Sequence, residues 1–472
     1  MRHFLIILAL GLGAALTAAA PEGSIEDFID RAMPASGVPG LAYAVVADGD
    51  ITTVGAHGVV RSGSQAEVTP DTPFVTGSIS KSFTALAVMQ LVEAGRIDLN
   101  TQLSAYLDGF SGRPAGAITI RQLLSHTSGF STLQGNASHT DTTGAKDELA
   151  RRVDQLAELT PAYEPDRRWE YSNTNYQILG RLIEVVSGQE FEAYVATNIL
   201  EPIGMEHSFV ADGEIHDSMA TGHRPWFGTK RPLPDNTTDR GTAPQGGIVA
   251  SANDLARYMR MMMNGEDDVL SAEGKALMML PASDVSPSYG FGWFVDSSTG
   301  AVWHDGMSPG FETLATMVPA EKKAVVVLVN GGSGMGFGET GHLRVGISDR
   351  ALGLDYDTEG SGWSNKALFI GAVTLPIIYV FSMIWAWVRR STIRAKRSGH
   401  FGLFSLWFPL LTTLFAAWVI FSLVPRLGGA PIGTIILFNP SFGWALFASA
   451  VAGVLWAVFR LGVAYTGRSR PA

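Results

Sequence analysis

Three long apolar stretches near the C-terminal end constrain the fold of this chain more than any other feature. They cover residues 367–388, 403–424 and about 442–459, and none contains Asp, Glu, Lys, Arg or His. Each is close to the ~20 residues that a helix needs to cross a bilayer. Transporters and pumps usually place ionisable groups within such helices, and these three stretches have none. We therefore predict three transmembrane helices within residues 367–472, which serve as an anchor or assembly module in contact with membrane lipid.

The loops between these stretches predict their orientation. The first loop carries five basic residues, and the second carries one. The five are Arg389, Arg390, Arg394, Lys396 and Arg397. Because cytoplasmic loops are enriched in Lys and Arg, the first loop and the end with Arg460, Arg468 and Arg470 are expected in the cytoplasm. The preceding body then lies on the periplasmic or extracellular side of a multi-pass protein of the cell (inner) membrane.

Residues 1–19 have the layout of a secretory signal peptide. Arg2 and His3 precede an apolar run over 4–16, and small residues follow over 17–20. The apolar run is too short to span a bilayer, and cleavage after Ala19 fits the rule for small residues at the cleavage site. An uncleaved anchor is the alternative. The signals at the two ends of the chain predict the same topology.

The body is acidic and the chain contains no cysteine. Ten of the 34 Lys and Arg residues lie from Lys366 to Ala472, where there is no Asp or Glu. The chain upstream therefore has 24 basic and 44 acidic residues. An acidic body offers no basic stripe to displace phosphate counterions, which excludes nucleic acid as a partner. The lack of cysteine excludes disulfides, Cys-ligated zinc, iron–sulfur clusters and thiol catalysis.

Strand patterns occur at both ends of the body, with helical patterns between them. Strands are predicted at 40–47, 51–60, 289–295, 301–304, 312–318 and 324–330. Helices are predicted at 25–33, 83–92, 145–159, 176–186, 252–263 and 341–352, of which 83–92 is apolar nearly all round. This order implies an α/β (α+β) domain over 20–354: one antiparallel sheet flanked by helices, with a large helical insertion. A linker over 355–366 leads to the membrane region.

Ser78 and Lys81 stand three residues apart at the start of the apolar helix. This spacing places both on one helical face at the positive end of the helix dipole. A Lys drawn into an apolar helix loses solvation, which lowers its pKa, so the neutral amine can accept a proton from a nucleophilic Ser. The alternative is that Ser78 is only an N-cap, since an S-x-x-K motif arises by chance about once in a chain like this.

Two further motifs supply polar groups. Tyr171-Ser172-Asn173 opens the predicted helix at 176–186, where a phenol can relay protons and a carboxamide can hold a Lys and a substrate carbonyl. A turn with an Asn N-cap is the alternative. His304-Asp305-Gly306 ends a predicted strand before Met307, and a backbone N–H at a strand edge can donate to an oxyanion.

Six sequence blocks occur in the order typical of one family. The blocks are V-T-G-S-I-S-K-S-F-T-A-L from Val75, L-L-S-H-T-S-G-F from Leu123, W-E-Y-S-N-T-N-Y from Trp169, G-G-I-V-A-S-A-N-D-L-A-R from Gly246, Y-G-F-G-W from Tyr289 and W-H-D-G-M-S-P-G-F from Trp303. Over about residues 25–352 the body resembles the serine β-lactamase and penicillin-binding-protein superfamily. The resemblance is to its class C β-lactamase-related, peptidase family S12-like branch, which includes D-peptidases and esterases.

The resemblance implies the roles of the catalytic residues. Ser78 is expected to be acylated, with Lys81 and Tyr171 sharing the role of base. Asn173 is expected to position Lys81 and the substrate, and the backbone N–H groups of Ser78 and Met307 to form the oxyanion hole. The resemblance implies neither a metal nor a cofactor.

The resemblance also implies a substrate-binding set. His304 stands where many members have Lys or His, with Gly306 completing the third motif. Gln134 matches a Gln that hydrogen-bonds a substrate amide in class C enzymes. The middle of the third motif is often a hydroxyl residue that grips a substrate carboxylate, whereas here it is Asp305. This departure puts recognition of a β-lactam or a D-Ala-D-Ala terminus in doubt.

Other residues suggest further kinds of site, for which the sequence offers less support. His126 lies between Ser125 and Thr127, but the chain has no G-x-S-x-G elbow, so we expect it to cap and pack its loop. The glycine-rich run at 336–341 resembles a dinucleotide-binding motif, but no βαβ unit, which such a site requires, surrounds it. The histidines at 207, 216 and 223 lack the H-E-x-x-H spacing of a zinc site.

Three functions remain for the protein. The first is an exported, membrane-anchored serine hydrolase that acts on an amide or ester through an acyl-enzyme at Ser78, with a D-peptide, β-lactam-like or ester substrate. The second is a penicillin-recognising sensor, although no cytoplasmic effector domain follows Arg460. The third is a non-catalytic membrane protein with the same fold, which the intact Ser-Lys-Tyr-Asn set disfavours.

Overall fold

A computed structural model of the chain describes residues 23–354 and 362–466. The predicted signal peptide and most of the predicted linker lie outside the described residues. The described chain divides into two compact units, one of residues 23–334 and 338–354 and the other of residues 335–337 and 362–466.

The first unit contains all eleven strands of the described residues. They are β1 (Gly40–Ala47), β2 (Asp50–Gly58), β3 (Phe74–Val75), β4 (Phe209–Val210), β5 (His223–Trp226), β6 (Thr229–Pro232), β7 (Ile248–Ala250), β8 (Phe294–Asp296), β9 (Ala301–Ser308), β10 (Phe311–Val318) and β11 (Lys323–Val329).

Twelve α-helices of the described residues belong to the same unit. They are α1 (Ile25–Ser36), α2 (Ser80–Glu93), α3 (Ile120–Leu124), α4 (Thr132–Ala137), α5 (Glu148–Ala157), α6 (Asn173–Ser187), α7 (Phe191–Val195), α8 (Glu201–Ile203), α9 (Ala243–Gly246), α10 (Ala252–Met263), α11 (Ala272–Met278) and α12 (Gly341–Leu352).

A six-stranded antiparallel sheet joins the two ends of this unit. Its order is β2-β1-β11-β10-β9-β8, and β1 pairs directly with β11, with Leu41 opposite Val329. The chain between β2 and β8 holds most of the helices, together with two small sheets. The predicted fold, one antiparallel sheet with a large helical insertion, is therefore confirmed.

Both faces of the sheet are covered. Along β1, Leu41, Tyr43 and Val45 pack in a cluster with residues of α1 and α12, whereas Ala42 and Ala44 join the larger core that includes α2 and α10. Alternate residues of a strand point to opposite faces. Burial on both faces explains why the sequence of β11 is almost continuously apolar, because no residue of a doubly covered strand meets water.

One predicted strand is shorter in the structure. Of residues 289–295, only Phe294 and the residue after it belong to β8, and the segment before them bends, with an isolated bridge between Tyr289 and Phe294. Gly292 has φ +78°, and a Cβ there would lie 2.7 Å from Cα of Ser82 in α2. Gly292 thus allows close packing against α2, which the apolar alternation of this segment does not reveal.

The second unit consists of helices. They are α13 (Trp363–Val388), α14 (Arg390–Ala395), α15 (His400–Trp418), α16 (Val424–Gly428), α17 (Ile432–Phe438) and α18 (Pro440–Tyr465). Three helical segments are long and apolar enough to span a membrane: Trp363–Val388, His400–Gly428 and Pro440–Tyr465.

The membrane-length helices run a few residues past the predicted apolar stretches. They therefore include Lys366 in the first turn of α13 and Arg460 five residues before the end of α18. Close packing joins α13 to α18: a Cβ on Gly453 would lie 3.1 Å from the ring of Tyr379, and the Ser449 hydroxyl donates to the backbone oxygen of Ala372 at 3.0 Å. Small residues at the contact allow the two helices to approach closely.

Candidate active site

A tight backbone contact holds Ser78 against strand β9. Ser78 lies in a 3-10 turn, Gly77–Ile79, that leads into α2. Gly77 has φ +56°, and a Cβ there would lie 2.5 Å from the amide nitrogen of Met307. A Cβ on Gly306 would lie 1.9 Å from the backbone oxygen of Thr76. Only glycines fit this contact, so Gly77 and Gly306 bring the backbone of Met307 beside Ser78.

Lys81 is buried beside this serine. Its side chain is fully buried, with Nζ 3.0 Å from the Ser78 Oγ atom and 2.8 Å from the backbone oxygen of Gln245. Burial lowers the pKa of Lys81 well below its ordinary value, and the charge of Asp305 opposes this effect only in part. The lowered pKa favours the neutral amine, which can accept the hydroxyl proton of Ser78.

Tyr171 is the third group near the serine. The Nζ atom of Lys81 lies 5.0 Å from the centre of the Tyr171 ring. Burial raises the pKa of Tyr171 well above its ordinary value, and a hydrogen bond to Ser78 lowers it by less. The phenol is therefore protonated at neutral pH and can pass its proton on. Ser78, Lys81 and Tyr171 are thus brought together.

His126 holds the segment that carries Tyr171. It is fully buried with φ +59°, and its Nδ1 accepts hydrogen bonds from the backbone N–H of Ser172 at 3.2 Å and from the Asn175 amide at 2.9 Å. Burial lowers the pKa of His126, which keeps the ring neutral. Its ring lies 4.4 Å from that of Tyr171. These contacts agree with the expected packing role.

Asn173 forms no hydrogen bond with Lys81, although the resemblance implied that it positions this lysine. It is the first residue of α6, and its Nδ2 donates to Asn136 Oδ1 at 2.8 Å and lies 3.2 Å from His139 Nε2. Its Oδ1 is buried and has no hydrogen-bond partner among the described residues. Lys81 bonds to Ser78 and Gln245 instead. The Asn173 oxygen therefore has an unused acceptor position, and the expected bond to Lys81 is absent.

The side chain of Gln134 is also engaged elsewhere. It completes a capping box at the start of α4: its Oε1 accepts from the backbone N–H of Ser131 at 2.9 Å, and its Nε2 donates to the backbone oxygen of Thr160 at 2.8 Å. Both ends of the amide are therefore used. The oxygen accepts from a backbone N–H that has no partner within the helix, as in any capping box, and the nitrogen donates to Thr160. A contact between Gln134 and a substrate amide would require this cap to open.

His304 and Asp305 lie on β9 before Gly306. His304 is buried, with Nδ1 2.6 Å from the backbone oxygen of Asp305 and Nε2 3.3 Å from the Tyr289 hydroxyl. Burial and the charge of Lys81 lower the pKa of His304 to about 3, so it is neutral at neutral pH. The Asp305 side chain is 30% exposed and lies 4.0 Å from His304 Nδ1. No Lys or Arg among residues 23–354 and 362–466 forms an ion pair with it.

Sequence reasoning missed several groups around the site. The backbone oxygen of Gln245 accepts a hydrogen bond from Lys81, and no side chain in the sequence indicates such a contact. Asn136 and His139 belong to no motif, and they reach Asn173 only because α4 packs against the start of α6. Tyr289 lies in the block Y-G-F-G-W and contacts His304, so that block carried a usable signal.

The other sequence candidates lie in structural contacts. All strands of the large sheet are antiparallel, so no βαβ unit precedes the glycine-rich run at 336–341. His223 bonds to Ser62 and to the Asn330 backbone, whereas His216 pairs with Asp212 at 2.9 Å. These two histidines have separate partners and do not share a ligand position.

Comparisons with known proteins agree with this architecture. The family model described as Beta-lactamase matches residues 25–347. Penicillin-binding protein 4 of Amycolatopsis lactamdurans is 35% identical over 324 residues, which cover 64% of this chain and 83% of that protein. A solved structure, the octameric penicillin-binding protein homologue from Pyrococcus abyssi, has a TM-score of 0.63 at 27% identity and covers 73% of this chain and 80% of that one.

One similarity extends beyond the sheet-containing unit. Protein flp of Staphylococcus aureus strain MRSA252 is 24% identical over 418 residues, which cover 85% of this chain and 82% of that protein. A match of that length cannot fit before residue 352, so it includes part of the chain that forms the apolar helices.

Proposed function

The chain belongs to the Beta-lactamase family, and from this premise we propose that it is an exported, membrane-anchored serine hydrolase that forms an acyl-enzyme at Ser78. The relatives include a penicillin-binding protein, which supports an amide, β-lactam-like or ester substrate. The observation that carries the proposal is the 3.0 Å distance between Lys81 Nζ and Ser78 Oγ. A buried amine with a lowered pKa at this distance is a general base in reach of its nucleophile.

Acylation would follow from this contact. The proton of the Ser78 hydroxyl passes to the neutral amine of Lys81 as Oγ forms a bond to the substrate carbonyl carbon. When the tetrahedral intermediate collapses, the bond from carbon to the leaving nitrogen or oxygen breaks, and the leaving group takes a proton. Tyr171 is the donor in reach, because its protonated phenol bonds to Ser78. Lys81 then returns a proton to the phenolate of Tyr171. Water then cleaves the acyl ester and restores Ser78.

The backbone amides of Ser78 and Met307 would stabilise the oxyanion. The contact of Gly77 with Met307 holds these two segments of backbone together before substrate arrives. Donors that are already oriented need no reorganisation during the reaction, and each is worth about 10²–10³ in rate. The unpartnered Asn173 oxygen could accept a hydrogen bond from a substrate amide N–H.

The charges near Ser78 favour a substrate that is neutral or cationic beside β9. Asp305 forms no ion pair with a Lys or Arg among the described residues, and His304 is neutral because its pKa lies near 3. A substrate carboxylate ~4 Å from an ionised Asp305 would meet a repulsion of about 4 kcal/mol at an effective dielectric of 20. Neutral esters, amides or substrates with a free amine are therefore proposed as the better substrates.

The second unit would anchor the enzyme on the outer side of the cell membrane. Its three membrane-length helices and the basic loop at 389–397 support this orientation, together with the predicted signal peptide. The relative from Staphylococcus aureus, which aligns into this region, supports the two units as one protein rather than a chance fusion.

The test uses the full-length protein in detergent and a fluorescent penicillin or phosphonate. Wild type should form a covalent adduct, and Ser78→Ala should not. Ser82→Ala is the matched control, because Ser82 lies in the same helix with its hydroxyl bonded to the backbone oxygen of Ile79. Undiminished labelling of Ser78→Ala would refute the mechanism.

A substrate screen then separates the remaining functions. Turnover of nitrocefin, p-nitrophenyl esters or D-amino-acid amides, lost in Ser78→Ala, supports a hydrolase and reports its substrate class. A penicillin adduct that persists without turnover of any substrate supports the sensor instead. No adduct and no turnover in the wild type supports the non-catalytic protein.

A further inference from the structure

Three cationic side chains converge at one end of the membrane-length helices. Arg460 of α18 donates from Nη1 to the backbone oxygen of Ser405 at 2.7 Å and from Nη2 to its hydroxyl at 3.4 Å. Lys396 donates to the same hydroxyl at 2.9 Å. Arg394 donates to the backbone oxygen of Val463, within one turn of Arg460, at 3.2 Å. We call Arg394, Lys396 and Arg460 the cationic cluster.

The cationic cluster has no acidic partner within its unit. The sequence contains no Asp or Glu from Gly362 to Ala472, so every acceptor that the cluster uses is a hydroxyl or a carbonyl. Arg460 is only 8% exposed, and burying a charge without a counterion is costly. Two like charges on one hydroxyl also repel each other. An anion from outside this part of the chain would remove both costs.

The surface beside the cluster is apolar rather than open to water. Phe401 and Phe408 lie four residues before and three residues after Ser405, so they share its side of α15. Their side chains are exposed, as is that of Phe404 between them. An acyl chain could cover these rings, whereas a soluble anion would leave them uncovered.

We propose that the cationic cluster binds the phosphate group of an anionic phospholipid, whose acyl chains lie against the aromatic side of α15. Guanidinium and ammonium groups donate strong charge-assisted hydrogen bonds to phosphate oxygens. Basic pockets between transmembrane helices bind such headgroups. Membrane orientation alone requires only that basic residues lie at this end, as the exposed Arg389 and Arg390 do. It does not require two of them to share Ser405 while a third bonds to Val463, one turn from Arg460.

The test titrates the delipidated full-length protein with phosphatidylglycerol and with phosphatidylcholine of the same acyl chains, and counts bound lipid by native mass spectrometry. Wild type should bind phosphatidylglycerol about tenfold more tightly than phosphatidylcholine. The double variant Lys396→Gln/Arg460→Gln should lose this preference. Arg389→Gln/Arg390→Gln removes the same charge nearby and should keep the preference within about twofold.

Three results would overturn the proposal. An unchanged preference in Lys396→Gln/Arg460→Gln excludes a site at the cluster. Equal losses in both double variants indicate diffuse attraction to the basic loop. Displacement of phosphatidylglycerol by inorganic phosphate at about 1 mM indicates a site for a soluble anion, because a lipid held also by its acyl chains resists such competition. If the double variant does not fold, the single variant Lys396→Gln, whose side chain is partly exposed, must still weaken phosphatidylglycerol binding.

Discussion

The Nζ atom of Lys81 lies 3.0 Å from the hydroxyl oxygen of Ser78, and its other hydrogen bond goes to a backbone oxygen rather than to a carboxylate. Lys81, the proposed base, therefore has no acidic hydrogen-bond partner. Uncharged groups hold it in a buried position, and burial lowers its pKa. The electrostatic cost of this arrangement is what makes the amine a base.

The pH dependence of acylation should reflect the lowered pKa of Lys81. A lysine near its ordinary pKa would make kcat/KM rise about tenfold per unit between about pH 7 and pH 9, because the neutral fraction grows by that factor. Because burial lowers the pKa of Lys81 well below that value, the rise should level off at a lower pH than for an ordinary lysine, and the rate should fall on acidification as Lys81 becomes protonated. Hydrolysis of an uncharged p-nitrophenyl ester measures this profile. A steady tenfold rise per unit would contradict it.

Replacing Lys81 with Met should abolish turnover and stabilise the fold. The variant removes a buried amine that has no carboxylate partner, so the free energy of unfolding should increase by on the order of 1 kcal/mol. Lys275→Met is the control: Lys275 is equally buried but pairs with Asp268 at 2.8 Å, so its loss should be destabilising. Thermal unfolding of both variants measures the difference. Destabilisation of both would show that Lys81 carries no electrostatic cost.

Gly77→Ala should lower both the stability of the fold and the activity of the protein that still folds, because the added Cβ meets backbone atoms. The new Cβ would lie 2.5 Å from the Met307 amide nitrogen and push that amide away from Ser78. We expect kcat/KM to fall by about 10²–10³, the usual effect of losing an oxyanion donor. Gly95→Ala has the same kind of positive φ, but no atom lies within 4 Å of the added Cβ. It should lose about 1 kcal/mol of stability and keep its activity. Equal activity of the two variants would count against the proposed oxyanion hole.

Substitution of Asp305 should change the preference between charged and neutral substrates. In Asp305→Thr, kcat/KM for a carboxylate-bearing substrate should rise relative to that for its methyl ester, because the repulsion is removed. Burial raises the pKa of Asp305, so the wild-type ratio should also rise as the pH falls and Asp305 becomes protonated. Asp296→Asn alters charge at the β8–β9 turn and should leave the ratio unchanged. A wild type that already prefers the carboxylate at neutral pH would disprove this reasoning.

The membrane orientation predicts opposite results from two reporter fusions. Alkaline phosphatase folds only outside the cytoplasm, so a fusion after Asn365 should be active and a fusion at Ser398 inactive, as the basic first loop indicates. Enzyme activity normalised to the amount of fusion protein gives the measurement. The reverse pattern would place the body in the cytoplasm and exclude an export signal at residues 1–19.

Much of the fold followed from local patterns. The predicted strand at 40–47 coincides with β1 and the predicted helix at 252–263 with α10. Ser78 and Lys81 were also recognisable, because three residues along a helix bring two side chains together whatever the rest of the chain does. The apolar stretches predicted membrane-length helices for a similar reason, since length and composition are enough to define them.

Contacts between distant segments were not predictable in this way. The Lys81 amine bonds to a backbone oxygen at Gln245, and every residue has such an oxygen, so no side chain marks the site. Likewise, the hydrogen bond from Gln134 to the Thr160 backbone oxygen and the turn of Asn173 towards Asn136 depend on how separate segments of the chain pack together.

The sequence by itself therefore determined the fold class, the candidate nucleophile with its lysine, and the membrane-length helices, because each depends on residues that are neighbours along the chain. Only the tertiary structure decided which group holds Lys81, how closely Met307 approaches Ser78, and which side chains near the site are already engaged. Those outcomes depend on burial and on contacts between segments that are separated along the chain. In the contact between Gly77 and Met307, the physical requirement is the absence of a side chain.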